Sequence, residues 1–225
     1  MFDIHYFESV GSTMDIARDC LMHERVVQAG EQTGGRGRRG NQWLSPKGNL
    51  YQSIILKPTC DKSLWGQLSF VIAVALARSC REVGIGGDDI NLKWPNDVLI
   101  NEQKLAGILI EACDDHVIIG TGVNIEHAPV DRSKITDFCD VSVDGFRDVF
   151  LKYIEHYYTQ WETHGFDDIR TEWISRAYKL NEPIQARLPN VIYDGVFEGL
   201  DESGTLLLRE KGGYLRHINS GEIIV

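Results

Sequence analysis

Three arginines and three glycines share six consecutive positions, Gly35-Arg36-Gly37-Arg38-Arg39-Gly40. A guanidinium grips carboxylate or phosphate oxygens through paired hydrogen bonds, and glycines let the backbone fold closely over a ligand. The spacing formally fits G-x-G-x-x-G. A dinucleotide fold, however, needs a helix straight after the loop, and Pro46 and Gly48 oppose one. A Walker-type phosphate loop needs a lysine after the last glycine, where this chain has Asn41. The segment is therefore expected to be a mobile loop that brings arginines to an anion. A solvated basic turn is the plain alternative. Nucleic-acid binding would need a wider basic face.

Lys93-Trp94-Pro95-Asn96-Asp97 and Lys104 form the second constellation. Pro95 keeps the chain extended before a turn, and Asn96-Asp97 opens a strand. With Asn101-Glu102 at a two-residue hairpin tip, Leu99 falls opposite Lys104. Period-2 alternation then puts Asp97, Leu99 and Lys104 on one face. A carboxylate and an ammonium beside Lys93 suit a metal nucleotide, with Asp97 for magnesium and the lysines for phosphate oxygens. An ordinary cross-strand ion pair explains the same residues. Gly120-Thr121-Gly122-Val123-Asn124 closes the region, its glycines permitting close approach of a flat ligand.

The elements that must position these groups read as α+β. Strands are expected at 2–7, 26–29 and 50–56. Ser12-Thr13 caps a short helix, and a long apolar helix spans 63–83. An antiparallel meander follows with strands at 98–100, 104–111 and 116–120. Phe146, Val149, Phe150, Tyr153, Ile154, Tyr157 and Trp161 lie on one helix face, and Gly165 ends that helix. A shorter helix carries Ile169 and Trp173. From 181 onward, short strands joined by glycine turns read as a small β-barrel. The boundary falls near Leu180, which gives domains 1–180 and 181–225.

The chain has 225 residues, 43% of them hydrophobic, and a formal net charge of −10. That balance argues against a general nucleic-acid or membrane-surface binder. Cys20, Cys60, Cys80, Cys113 and Cys139 are scattered, without C-x-x-C, so neither a disulfide framework nor a zinc site is indicated. The histidines do not cluster. The start lacks the features of a signal peptide, and the longest apolar run, 70–77, is far short of a membrane span. A cytoplasmic location is expected.

The arginine loop with Trp43, Lys93 to Asp97, Lys104-Leu105-Ala106-Gly107-Ile108-Leu109, and Gly120 to Asn124 together resemble the biotin protein ligases, also called biotin–[acetyl-CoA-carboxylase] ligases. The resemblance implies a mixed, largely antiparallel sheet packed with helices, then a small SH3-like barrel. It implies ATP-dependent formation of biotinyl-5′-AMP with Mg2+, and transfer of biotin to a lysine of a biotin carboxyl carrier protein or domain. A homodimer stays open. A lipoate or octanoate ligase or transferase of the same catalytic fold is the alternative, and a non-catalytic biotin or nucleotide binding module is a reading of another class.

Carried over by motif, the biotin site falls on Ser12, Thr13, Met14, Gln32, Arg36, Gly37, Arg38, Lys104, Gly107 and Gly122. The ATP site falls on Arg38, Arg39, Trp43, Lys93, Asn96, Asp97, Lys104 and Asn124. The catalytic groups are Arg38, Lys104 and Asp97, with Asp97 also the metal contact. Arg216 and His217, near a turn of the barrel, are added to the ATP side. Met14 replaces the family's asparagine, and Asn41 replaces a frequent arginine. The expected first strand starts almost at Met1, which is read as leaving no room for the helix-turn-helix domain of long family members.

Overall fold

The computed structural model describes residues 2–224. Its main sheet has seven strands: β1 (Asp3–Val10), β2 (Arg25–Gln32), β3 (Leu50–Leu56), β4 (Ile90–Lys93), β5 (Asp97–Ile100), β6 (Gln103–Cys113) and β7 (His116–Val123). Their order is β1-β2-β3-β7-β6-β5-β4. Only β1 and β2 run parallel; every other neighbouring pair is antiparallel. Patterning does not mark β4, because four residues are too few for alternation to stand out.

Helices cover both faces of the sheet. On one face sits α1 (Thr13–Asp19), capped by Ser12 Oγ, which accepts from the Met14 N–H. It buries Met14 and Ala17 against Val27, Ile55 and Ile118. On the other face lie α2 (Leu68–Glu82), α3 (Val143–His164) and α4 (Asp167–Ile174), packed over Val26, Leu50, Ile54, Ala106 and Val123. The expected helix at 63–83 is split: Lys62–Gln67 is a 3-10 turn, and α2 begins at Leu68. The stretch Lys62–Glu82 is long and apolar enough to cross a membrane, yet 78% of its apolar window is buried in this core.

In α3, Phe146, Phe150, Ile154, Tyr157 and Trp161 are buried as the spacing predicts. Val149 and Tyr153 are only half-buried, and Leu151, outside that series, is buried too. Gly165 ends the helix at φ 81°, its N–H donating to the Trp161 carbonyl.

A second, antiparallel sheet follows. It contains β8 (Pro183–Arg187), β9 (Ile192–Leu200), β10 (Leu206–Glu210), β11 (Leu215–Ile218) and β12 (Glu222–Ile224), in the order β11-β10-β9-β8-β12. Val225, the last residue of the region expected to form the small barrel, lies outside the described residues. Phe197, Leu206, Ile218 and Ile223 join the same hydrophobic cluster as α2 and α4, so the two sheets share one core. The Gly204 turn docks the second sheet on α2 and on the turn between β4 and β5. A Cβ there would sit 2.5 Å from the Phe70 ring, and its carbonyl accepts a hydrogen bond from Trp94 Nε1.

Candidate active site

A cavity of about 780 Å³ opens between α1, the arginine loop, the β4–β5 turn and the start of β12. Its floor is bare backbone. Gly107 and Gly122 face each other across β6 and β7. A Cβ on Gly122 would sit 2.5 Å from Trp43 Cε2, and one on Gly107 would sit 3.0 Å from Trp43 Cζ3. The indole therefore lies directly on the sheet, and only glycine leaves room for it. Its Nε1 is buried without a hydrogen-bond partner among the described residues. Gly120 plays the same part for Met14, whose Sδ would be 2.7 Å from an added Cβ.

One end of the cavity is a closed polar network. Ser53 donates to Thr13 Oγ1 at 2.8 Å, and the Thr13 N–H and hydroxyl both donate to Gln32 Oε1. Gln32 Nε2 donates to Ser45 Oγ, which donates to the Trp43 carbonyl. These bonds fix the orientation of the Gln32 amide. Ser12, Thr13, Met14 and Gln32 all line this end.

The other end is cationic. Lys104 Nζ pairs with Asp97 Oδ1 at 2.7 Å and sits 5.3 Å from the centre of the Trp43 ring. Arg38 Nη1 donates to Asn96 Oδ1 at 3.0 Å and to the Gly221 carbonyl at 3.4 Å. Asn96 is itself anchored through its Nδ2 to the Ile108 carbonyl. Burial draws the Arg38 guanidinium below its ordinary value, and Arg39 adds to that shift; Asp97 and Glu222 oppose it. Arginine still carries its charge in such a site.

The loop doubles back on itself. The Gly37 N–H donates to the Asn41 carbonyl at 2.7 Å, and the Trp43 N–H donates to the Gly35 carbonyl. Arg39 has φ 56° and Gly40 has φ 77°, a left-handed pair that turns the chain. Arg36 is tied to Asp15 at 2.9 Å and to Glu111 at 3.5 Å. Arg36, Arg38, Arg39, Lys93, Lys104, Arg132 and Arg187 line the cavity, against the carboxylates Asp97, Glu102, Asp131 and Glu222. Seven cations against four anions, in a chain of net charge −10, make this the place where an anion is drawn in.

Three expected positions fall elsewhere. Arg216 is ion-paired with Glu210 and stacked 3.8 Å over the Tyr193 ring, and His217 faces Asp201. Neither lines the cavity. Asn124 is buried behind the floor, where its Nδ2 donates to the Ser133 carbonyl. It holds the strand end rather than lining the cavity. The second sheet reaches the cavity instead through Arg187, Gly221 and Glu222. The glycine before the last strand was the available signal. Nothing local in the sequence places it 3.4 Å from an arginine 183 residues away.

Residues 6–124 match the model of the biotin/lipoate A/B protein ligase family, and residues 179–225 match the biotin protein ligase C-terminal domain. The chain is 38% identical to a biotin–[acetyl-CoA-carboxylase] ligase of Paracoccus denitrificans over 204 residues, which is 83% of this chain and 85% of that protein. It is 32% identical to the bifunctional ligase/repressor BirA of Bacillus subtilis, over 97% of this chain and 72% of that protein. The fold superposes on biotin protein ligase from Aquifex aeolicus in complex with biotin and ATP with a TM-score of 0.88, at 28% identity, covering 99% of this chain and 97% of that one.

Proposed function

The chain belongs to the biotin/lipoate A/B protein ligase family, and from that premise we infer that it is an ATP-dependent biotin protein ligase. It activates biotin as biotinyl-5′-AMP and passes the biotinyl group to a lysine of a carrier domain. The observation that carries this reading is the division of one cavity into a polar closed end and a cationic end, with a glycine floor between them.

In the first step a biotin carboxylate oxygen attacks the α-phosphorus of ATP. The bond from that phosphorus to the bridging oxygen breaks, and pyrophosphate leaves with the electron pair. Both reactants are anions, and their mutual repulsion is the first obstacle. Lys104, fixed by Asp97, supplies a cation beside the glycine floor, and Arg38, fixed by Asn96, supplies a second. Fixed charges of this kind stabilise the transition state more than the ground state, because they need no reorganisation as charge develops. In the second step the carrier lysine amine attacks the acyl carbon and loses a proton, and AMP leaves with the electron pair. The acyl group is already activated, so no protein nucleophile is required.

The closed end suits a ureido ring, which both donates and accepts hydrogen bonds. An octanoyl chain or a dithiolane there would leave the groups around Thr13 and Gln32 facing apolar surface. That contrast favours biotin over lipoate.

ATP is proposed to arrive as its magnesium complex. Among the described residues no group of three or more His, Cys, Asp or Glu could hold a metal, and Asp97 Oδ1 is engaged by Lys104. The donor set therefore suits an ion kept mainly by phosphate oxygens and water, with Asp97 as one carboxylate contact. Bound magnesium would neutralise phosphate charge. The acceptor is proposed to be the biotin carrier domain of a carboxylase. The acidic charge and the free cysteines support action in the cytoplasm, apart from nucleic acid and membrane.

Pyrophosphate release from biotin and ATP, without acceptor, tests the assignment. A burst of about one equivalent per enzyme is expected, as stored adenylate blocks a second turnover. No release, or a larger burst with lipoate than with biotin, overturns it.

A further inference from the structure

We propose that Arg187, contributed by the second sheet, is a substrate-binding residue of the adenylation step that holds the pyrophosphate portion of ATP as it departs. The proposal rests on the ligase reading above.

Alternation along β8 buries Ile184 and Ala186 and turns Arg187 outward, to the rim of the cavity. Pairing of β8 with β12 sets Arg187 opposite Glu222. The preceding residue, Gly221, is wedged in place: an added Cβ would sit 3.1 Å from the Arg187 carbonyl and 3.3 Å from the Trp94 ring. The Gly221 carbonyl in turn accepts from Arg38. Arg187, the Lys93–Trp94 turn and Arg38 thus meet at one packed junction between the two sheets.

Charge pairing separates the cavity cations into two groups. Lys104, Arg36 and Arg132 each have a carboxylate within 4.0 Å. Among the described residues, Arg38, Arg39, Lys93 and Arg187 have none; Arg38 binds only an amide and a carbonyl. Gathering unpaired cations costs self-repulsion, which a polyanion relieves. Biotin brings one carboxylate, and Lys104 with Arg38 accounts for that group and the α-phosphate. The remaining cations exceed what those two anions need and match the β- and γ-phosphates. When the α-phosphorus bond breaks, the electron pair passes to the bridging oxygen of pyrophosphate. A guanidinium at this rim meets that growing charge with two parallel donors.

The test compares Arg187→Gln and Arg187→Lys with the unmodified protein in three assays: rapid-quench adenylation at varied ATP, inhibition by inorganic pyrophosphate, and transfer from pre-made biotinyl-adenylate to carrier. Arg187→Gln is expected to raise the KM for ATP about tenfold and to weaken pyrophosphate inhibition by a similar factor, the range of one charge-assisted hydrogen bond at a partly exposed site. Biotin affinity and the transfer rate stay unchanged, and Arg187→Lys recovers part of the loss. Thermal melting checks that both variants fold, and Arg209→Gln, outside the cavity, is the surface-charge control. Unchanged ATP and pyrophosphate constants overturn the proposal. So does a loss confined to the KM for the carrier, which would make Arg187 a docking residue for the acceptor. If the unmodified protein releases no pyrophosphate, the ligase reading fails; if it does and Arg187→Gln matches it, only this inference fails.

Discussion

Lys104 Nζ lies 2.7 Å from Asp97 Oδ1, and a β-bulge just beyond Lys104 brings Gly107 to the same face. Leu99 pairs with Lys104, but Val98 pairs with Ala106, so Leu105 is the extra residue. Without it Asp97 would face Ala106. With it, Asp97 faces Gly107, and Lys104 shares the cavity face with that glycine. Leu105 and Ala106 both turn into the core instead. One inserted residue thus lets a single strand supply a bare floor and a cation to the same site.

Replacing Lys104 by methionine keeps most of the stem and removes the charge. The expected loss in adenylation is about 3 kcal/mol, roughly a hundredfold in rate, as for one preorganised electrostatic group. Transfer from pre-made adenylate should fall much less, since the phosphorus bond is already formed. Single-turnover measurement of each half-reaction decides it. A collapse of transfer with adenylation intact would place the ammonium on the wrong reaction.

The arginine loop is expected to tighten on binding biotin. Its arginines repel one another until anions arrive, and among the described residues only Arg36 has carboxylate partners, Asp15 and Glu111. Trypsin cleavage after Arg38 and Arg39 should slow several-fold at saturating biotin, as ordering of the loop lowers the population of cleavable conformers. Equal cleavage rates with and without biotin would show that the loop is already rigid.

The parts of the site that were legible in the sequence are local ones. Asp97, Leu99 and Lys104 are joined by a two-residue tip, with Asn101 at φ 49° and Glu102 at φ 62°, so alternation from a short turn sufficed to bring them together. The bulge was not legible, because Lys104-Leu105-Ala106-Gly107 carries no mark of where an extra residue sits. Arg216 and His217 lie outside the cavity for a related reason. A turn-flanking cation reads as available, yet Glu210 and Tyr193 occupy one and Asp201 the other. Arg187 and Glu222 reach the cavity only because β12 pairs with β8 and Gly204 docks on Phe70, contacts between segments far apart in the chain.

The glycine floor gives a contrast between neighbours. In Gly122→Ala the new methyl meets the rigid indole of Trp43 at 2.5 Å, so the ring must leave the sheet. In Gly120→Ala it meets the Met14 thioether at 2.7 Å, the end of a flexible side chain that can swing aside. Gly122→Ala should therefore cost at least tenfold in biotin affinity and red-shift the Trp43 fluorescence, whereas Gly120→Ala should cost only a few-fold, with packing strain of about 1 kcal/mol. Calorimetric titration with biotin and emission spectra of both variants test the ranking. Equal losses would mean that the indole does not rest on this floor.

Tyr51 links the loop to the stability of the sheet. It is fully buried on β3, and its hydroxyl donates to the Pro46 carbonyl at 2.8 Å, just beyond the Trp43 segment. Burial pushes its phenol up to about 12, opposed by a hydrogen bond with Asn49. An unfolded tyrosine ionises near 10. The folded value is the higher one, so the contribution is complete below pH 10. It falls away as pH rises from 10 through 12, because the unfolded chain loses its proton first. The span corresponds to at most about 2.7 kcal/mol. Denaturant unfolding of the unmodified protein and of Tyr51→Phe, between pH 8 and pH 12, isolates this residue from the other tyrosines. At pH 8 the phenylalanine variant should be less stable by about 1 kcal/mol, the net worth of one hydrogen bond. Its alkaline decline should then be shallower, so that the two curves converge or cross before pH 12. Parallel curves over that range would show that the Tyr51 phenol titrates alike in the folded and unfolded chain, and the buried bond to Pro46 would lose its place as the anchor of the loop.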